Sequence, residues 1–115
     1  MAANDPRREL DTVFVALGNE HRRAMVDVLA LHPDSISHLA RMRGLSLPAI
    51  HKHIAILESA GLVARQKTGR TTFLTLRREA LGVLQAWIGR FHLYWGSEAE
   101  TLANYERYLV NEETP

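Results

Sequence analysis

Two short helical stretches meet at one glycine, and that junction constrains the fold more than any other feature of the chain. Upstream of Gly44, Ser37 can cap a helix from His38 to Arg43 that turns Leu39, Ala40 and Met42 inward. Gly44 itself supplies the positive φ that a tight turn requires. Beyond it, Ser46 caps a second helix over residues 47–60, with Pro48 in the first turn, where a missing N–H costs nothing. Leu47, Ile50, Ile54 and Leu57 share one stripe of that helix, which stops at Gly61.

After Gly61 the apolar period drops to two. Leu62 to Lys67 and Thr71 to Leu76 read as strands joined by Thr68-Gly69-Arg70, a β-hairpin with a basic tip. Before the pair, Leu10, Val13, Phe14 and Leu17 repeat at helical spacing over residues 7–17, and Gly18 is the stop. Asn19 caps a helix over 20–32 with Met25, Val28, Leu29 and Leu31 as apolar positions, closed by His32-Pro33. Residues 78–110 return to helical periodicity through Leu81, Leu84, Trp87, Ile88, Phe91 and Trp95. Ser97-Glu98-Ala99-Glu100 is a capping-box pattern, so this segment is one helix or two broken near Gly96. The tail, Asn111 to Pro115, is expected to fray.

The formal net charge is +1, from 14 Lys and Arg against 13 Asp and Glu, which on its face disfavours a polyanionic partner. The distribution reverses that reading. Residues 1–19 sum to −1, residues 20–78 to +6 and residues 79–115 to −4. Within 41–70, six basic residues face a single acid, Glu58. A basic middle between acidic ends is an electrostatic footprint for a polyanion.

Two helices joined by a glycine turn form a helix-turn-helix pattern, in which the second helix presents its N-terminal residues to the major groove of DNA. With Ile50, Ile54 and Leu57 inward, Pro48, Ala49, Lys52 and Ala55 point outward, flanked by His51 and His53. Ala49 suits a thymine methyl, Lys52 a phosphate or guanine, and His51 a hydrogen bond. Arg41 and Arg43 suit phosphates better than bases. The expected fold is mainly α with a small β-hairpin: a single winged helix-turn-helix domain over 1–115. Its DNA-binding core covers 10–78 with the wing at 62–76, and a dimerisation helix or helices follow over 79–110.

These stretches resemble the ArsR-type bacterial winged helix-turn-helix repressors. The matching residues are Leu17-Gly18-Asn19-Glu20-His21-Arg22-Arg23, Ser37-His38-Leu39-Ala40 and Ser46 to Ile54, then Leu57 to Val63 and Gly69 to Leu76. The resemblance implies a homodimeric DNA-binding repressor with a basic wing. By it, Ser46, Leu47, Pro48, Ala49, His51, Lys52 and His53 lie at the major groove. Arg65, Lys67, Thr68 and Arg70 bring the wing to the backbone or minor groove, and Arg22 supports the DNA-facing side. The metal-sensing members carry paired cysteines on the first helix of the motif. This chain has no cysteine, so a thiolate site is impossible. His92 stands almost alone among the C-terminal helices, and His51 and His53 diverge by about 200° on one helix. No metal site and no cofactor are therefore expected within one chain, although ligands from two chains remain open.

Six of the eight aromatic residues fall in 87–108, more than a small winged core can bury. The expected outlet is a homodimer interface formed by Leu10, Phe14, Leu17, Leu84, Trp87, Ile88, Phe91 and Trp95. A two-fold axis would set the two recognition helices about 34 Å apart on an inverted-repeat operator of double-stranded DNA. The same aromatics leave open a pocket for a small-molecule effector. No phosphate loop, serine elbow or paired-carboxylate signature is present, so an enzyme is not expected. The N-terminus lacks a secretory h-region, and no apolar run reaches the roughly 18 residues of a membrane span. A cytoplasmic protein is expected. The competing reading is a winged-helix interaction module whose basic face binds an acidic partner protein.

Overall fold

The computed structural model describes residues 5–95 and 97–113, and these form six helices and three strands. The order is α1 (Pro6–Leu17), α2 (Glu20–Leu31), β1 (Asp34–Ser35), α3 (Ile36–Arg43), α4 (Leu47–Ser59), β2 (Val63–Thr68), β3 (Thr71–Leu76), α5 (Arg78–Trp95) and α6 (Glu98–Glu113). The chain divides into two compact units between Val83 and Leu84, within α5. Among the described residues no helix is long and apolar enough to cross a membrane.

Each of the helices α1 to α4 starts on a side chain that takes up a free backbone N–H. Asp5 accepts from Arg7, Asn19 from His21 and Arg22, and Ser46 from Ala49. Such caps are worth about 1 kcal/mol each. The cap of α3 is Ser35, not the expected Ser37; its Oγ accepts from the His38 N–H at 3.2 Å. The cause is nonlocal. Asp34 and Ser35 pair antiparallel with Leu74 and Phe73 of β3, which keeps the chain extended up to Ser35. The helix then begins with Ile36, buried in the core, and Ser37 falls inside its first turn.

The core gathers apolar residues from α1 to α4, the α4–β2 junction and the hairpin: Ala16, Met25, Leu29, Leu39, Ile50, Ile54, Leu57, Leu62, Val63 and Leu74 are all buried. Three positions expected inward lie outside. Leu31 is 83% exposed, Leu47 52% and Met42 39%. Leu31 and Leu47 sit at the last and first positions of their helices, where the apolar stripe runs past the neighbouring element. Met42 lies in the final turn of α3.

Gly44 adopts φ +64° and a Cβ there would meet nothing within 4 Å. Strain alone therefore sets the effect of Gly44→Ala. We expect it to lower unfolding free energy by about 1 kcal/mol, read as a reduced urea midpoint with an unchanged slope.

The sheet order is β1-β3-β2, and the hairpin register pairs Val63 with Leu76 and Thr68 with Thr71. The turn is thus two residues, Gly69-Arg70, one shorter than expected. Gly69 at φ +63° suits the tight hairpin turns that match strand twist. In the second unit, Ser97 and Glu100 exchange hydrogen bonds at the start of α6, the expected capping box. Segment 78–110 is therefore two helices.

Candidate nucleic-acid interface

α3, the Gly44 turn and α4 stand as a helix pair whose second member is anchored by Ile50, Ile54 and Leu57, each fully buried. That anchoring fixes which residues α4 offers to solvent. Leu47, Pro48, His51, Lys52 and Ala55 are exposed and Ala49 is half-buried. Ser46 is exposed too, with its Oγ committed to the cap. The wing carries Lys67, Thr68 and Arg70 on its exposed end. Among the described residues, Arg41, Lys52, Lys67 and Arg70 make no ion pair, so their charge stays available to a ligand.

The other basic candidates are held. Arg65 donates through Nε to Glu58 Oε1 at 3.0 Å, and its Nη1 lies 3.4 Å from His51 Nδ1. This links the root of the wing to α4. Arg43, half-buried, donates through Nε to His21 Nδ1 at 3.0 Å. Arg22 lies inside, 9% exposed. Its Nε donates to the Ala16 carbonyl at 2.6 Å and its Nη2 to the Val15 carbonyl at 3.1 Å, while Nη1 sits 3.1 Å from His53 Nδ1. Arg22 thus braces α4 against the end of α1 from behind the exposed face.

His53 is half-buried beside Arg22, with the His21 ring centroid 5.6 Å away. Burial first, then the Arg22 guanidinium and His21, hold its imidazole below the ordinary histidine pKa. A base lowered in this way favours the fold fully above the ordinary histidine value. That contribution is lost as pH falls through the folded-state value. Two residues of this arrangement escaped the sequence reading, His21 and Glu58. His21 shares a helical face with Met25 and Val28, at i, i+4 and i+7, a signal that it points toward the core.

Of the residues expected at a dimer interface, Leu10, Leu17, Leu84 and Trp87 are half-buried. Phe14 is 43% exposed, Ile88 55% and Phe91 53%. Trp87 and Phe91 pack edge to face at 4.9 Å. The side chains of His92 and Trp95 lie outside the described residues. A cavity of about 680 Å³ lies where α1, the end of α4 and the start of α5 meet, with Asp5, Arg8, Glu9 and Glu79 in its wall. No aromatic residue lines it.

A helix pair with a glycine turn, a second helix exposing a cation, and a hairpin with a basic tip define a winged helix-turn-helix DNA-binding domain. HTH-type transcriptional regulator Rv2034 of Mycobacterium tuberculosis is 33% identical over 84 residues, 73% of this chain and 78% of that protein. A solved ArsR family transcriptional regulator is 31% identical with a TM-score of 0.73, covering 85% of this chain and 99% of the other. The chain belongs to the ArsR family of winged helix-turn-helix transcriptional regulators. It is a DNA-binding regulator and not an enzyme. The winged helix-turn-helix DNA-binding domain of Mb0332 from Mycobacterium bovis, described as homodimeric, shares the fold with a TM-score of 0.60 at 24% identity. That match covers 81% of this chain and 94% of the other. No family model matches the chain.

Proposed function

We propose that this chain is a homodimeric cytoplasmic repressor that reads an inverted-repeat operator with α4 in the major groove and the wing on the flanking backbone. The observation that carries the reading is charge placement. Lys52 on the exposed face of α4 and Lys67 and Arg70 on the wing lack ion-pair partners among the described residues, whereas Arg22 and Arg65 are engaged internally. Ser46, Leu47, Pro48, Ala49, His51 and Thr68 complete the proposed contact surface, with Arg41 toward phosphates, whereas Arg43 is committed to His21. Ser46 and Pro48 let the helix start close to the duplex, and Ala49 and Ala55 keep its face narrow.

The dimer is supported by apolar surface on the two C-terminal helices. Ile88 and Phe91 of α5 and Leu102 and Tyr105 of α6 are each more than half exposed. Apolar groups at that density favour burial against a second copy. Phe14 and Val15 add a further exposed apolar pair on α1.

Fluorescence anisotropy with the duplex directly upstream of the chain's own coding sequence tests the reading. Specific binding that weakens steeply with salt is expected. Lys52→Ala should weaken it by about tenfold and relax base preference, as loss of one base or phosphate contact does. Arg70→Ala should weaken binding on all sequences alike and lower the salt slope by about one. No preference over random duplex at physiological salt sinks the operator reading. A monomer at micromolar concentration in sedimentation removes the dimer.

A further inference from the structure

Four cationic or titratable side chains meet behind the exposed face of α4. His53 comes from α4, His21 and Arg22 from α2, and Arg43 from the last turn of α3. A guanidinium can only donate, so the 3.1 Å contact from Arg22 Nη1 requires an unprotonated Nδ1 on His53. The same logic makes His21 Nδ1 the acceptor for Arg43 Nε. From α1 the group meets backbone carbonyls, those of Val15 and Ala16, both taken by Arg22. Glu20 stands exposed in the first turn of α2, and the other titratable groups of this part of α4, His51 and Lys52, are exposed. Among the described residues no carboxylate hydrogen-bonds or ion-pairs with any of the four.

We propose that His53 is a positioning residue rather than a DNA contact: its neutral ring seats α4 on Arg22, and protonating that ring unseats the helix and weakens DNA binding in mildly acid solution. The inference rests on α4 being the groove-facing helix. A proton on Nδ1 sets N–H against N–H and adds a positive charge beside the fixed Arg22 guanidinium, with no carboxylate among the described residues bonded there to offset it. Arg22 is tied to the end of α1 through two carbonyls, so it cannot swing away without breaking those bonds. The helix is the partner that yields. A histidine that merely faced phosphates would behave oppositely, because its protonated form binds a polyanion more tightly. The direction of the pH dependence therefore separates the two roles.

The experiment compares the full wild-type chain with His53→Gln at fixed ionic strength, using anisotropy on the upstream duplex at about pH 7.5 and about pH 5.5. Glutamine keeps an oxygen for Arg22 and takes no proton. Wild type is expected to lose affinity several-fold at the lower pH, because only the fraction of molecules with a neutral His53 ring seats α4. The variant is expected to change by less than about twofold. Tighter wild-type binding at low pH, or the same pH profile in both proteins, overturns the proposal. A second readout needs no DNA. In imidazole nitrogen NMR, the His53 Nδ1 should be unprotonated at neutral pH, and the backbone amides of α4 should shift with the same midpoint as the ring. A ring that titrates while those amides stay still defeats the proposal. Amides that follow the ring in a chain that binds no duplex at any pH support the seating and defeat the operator reading instead.

Discussion

Replacing Arg22 with alanine is expected to destabilise the fold by about 3 kcal/mol or more, an effect as large as a core truncation. Arg22 is 9% exposed and makes two hydrogen bonds to the Ala16 and Val15 carbonyls, with a third contact to His53. Hydrogen bonds from a charged donor contribute about 1.5–3 kcal/mol each, and of the two carbonyls left behind in the last turn of α1 the Val15 oxygen keeps the Gly18 N–H at 3.2 Å while the Ala16 oxygen loses its Arg22 donor. Some loss is recovered because the truncated side chain takes its buried charge with it, so the sum falls below three full bonds. Arg22→Lys separates charge from geometry: one ammonium cannot reach two carbonyls and an imidazole as a planar fork does. It should fall between wild type and alanine. Urea unfolding with fitted slopes measures both, and a loss under about 1 kcal/mol for the alanine variant shows that the bracing is not structural.

Ile54→Ala is expected to cost about 3–4 kcal/mol, in the range for a truncated aliphatic that leaves a cavity. Ile54 is fully buried and lies midway along the stripe Ile50, Ile54, Leu57, so atoms from several elements surround the space it would vacate. Two residues along the same helix, Ile56 is 38% exposed, and Ile56→Ala should cost less than about 1 kcal/mol. The pair is an internal control, since both changes carry the same helix-propensity gain from alanine. Domains of this size hold about 5–15 kcal/mol in total, so Ile54→Ala should also shift the thermal midpoint by many degrees. Equal effects at the two positions would place the apolar stripe of α4 on the wrong phase.

Features written in local chemistry were legible before any coordinates. The stripe of α4, the cap at Ser46, the glycine at positive φ and the two-period strands each depend on neighbours within a few residues. Strand β1 was not legible, because Asp34 and Ser35 become a strand only through partners at Leu74 and Phe73. The misplaced cap of α3 follows from the same omission. Leu31, Met42 and Leu47 show a second limit: periodicity gives the direction of a face but not the point at which its neighbour ends. The site divides in the same way. Exposure of Lys52 and Arg70 followed from phase and from a turn. Arg22 and Arg65 counted toward the same basic total, yet one is buried behind α4 and the other is tied to Glu58. Charge counts carry no orientation.

The short strand β1 also decides how the domain comes apart. It fastens the start of α3 to β3, while the end of α4 runs directly into β2, the other partner of β3. The reading head is thereby closed into a circuit whose clasp is the wing itself. Loss of the wing strands would release both ends of the helix pair at once. A fragment carrying only the two helices would lack its clasp, so head and wing form a single cooperative unit rather than a reader with a detachable arm.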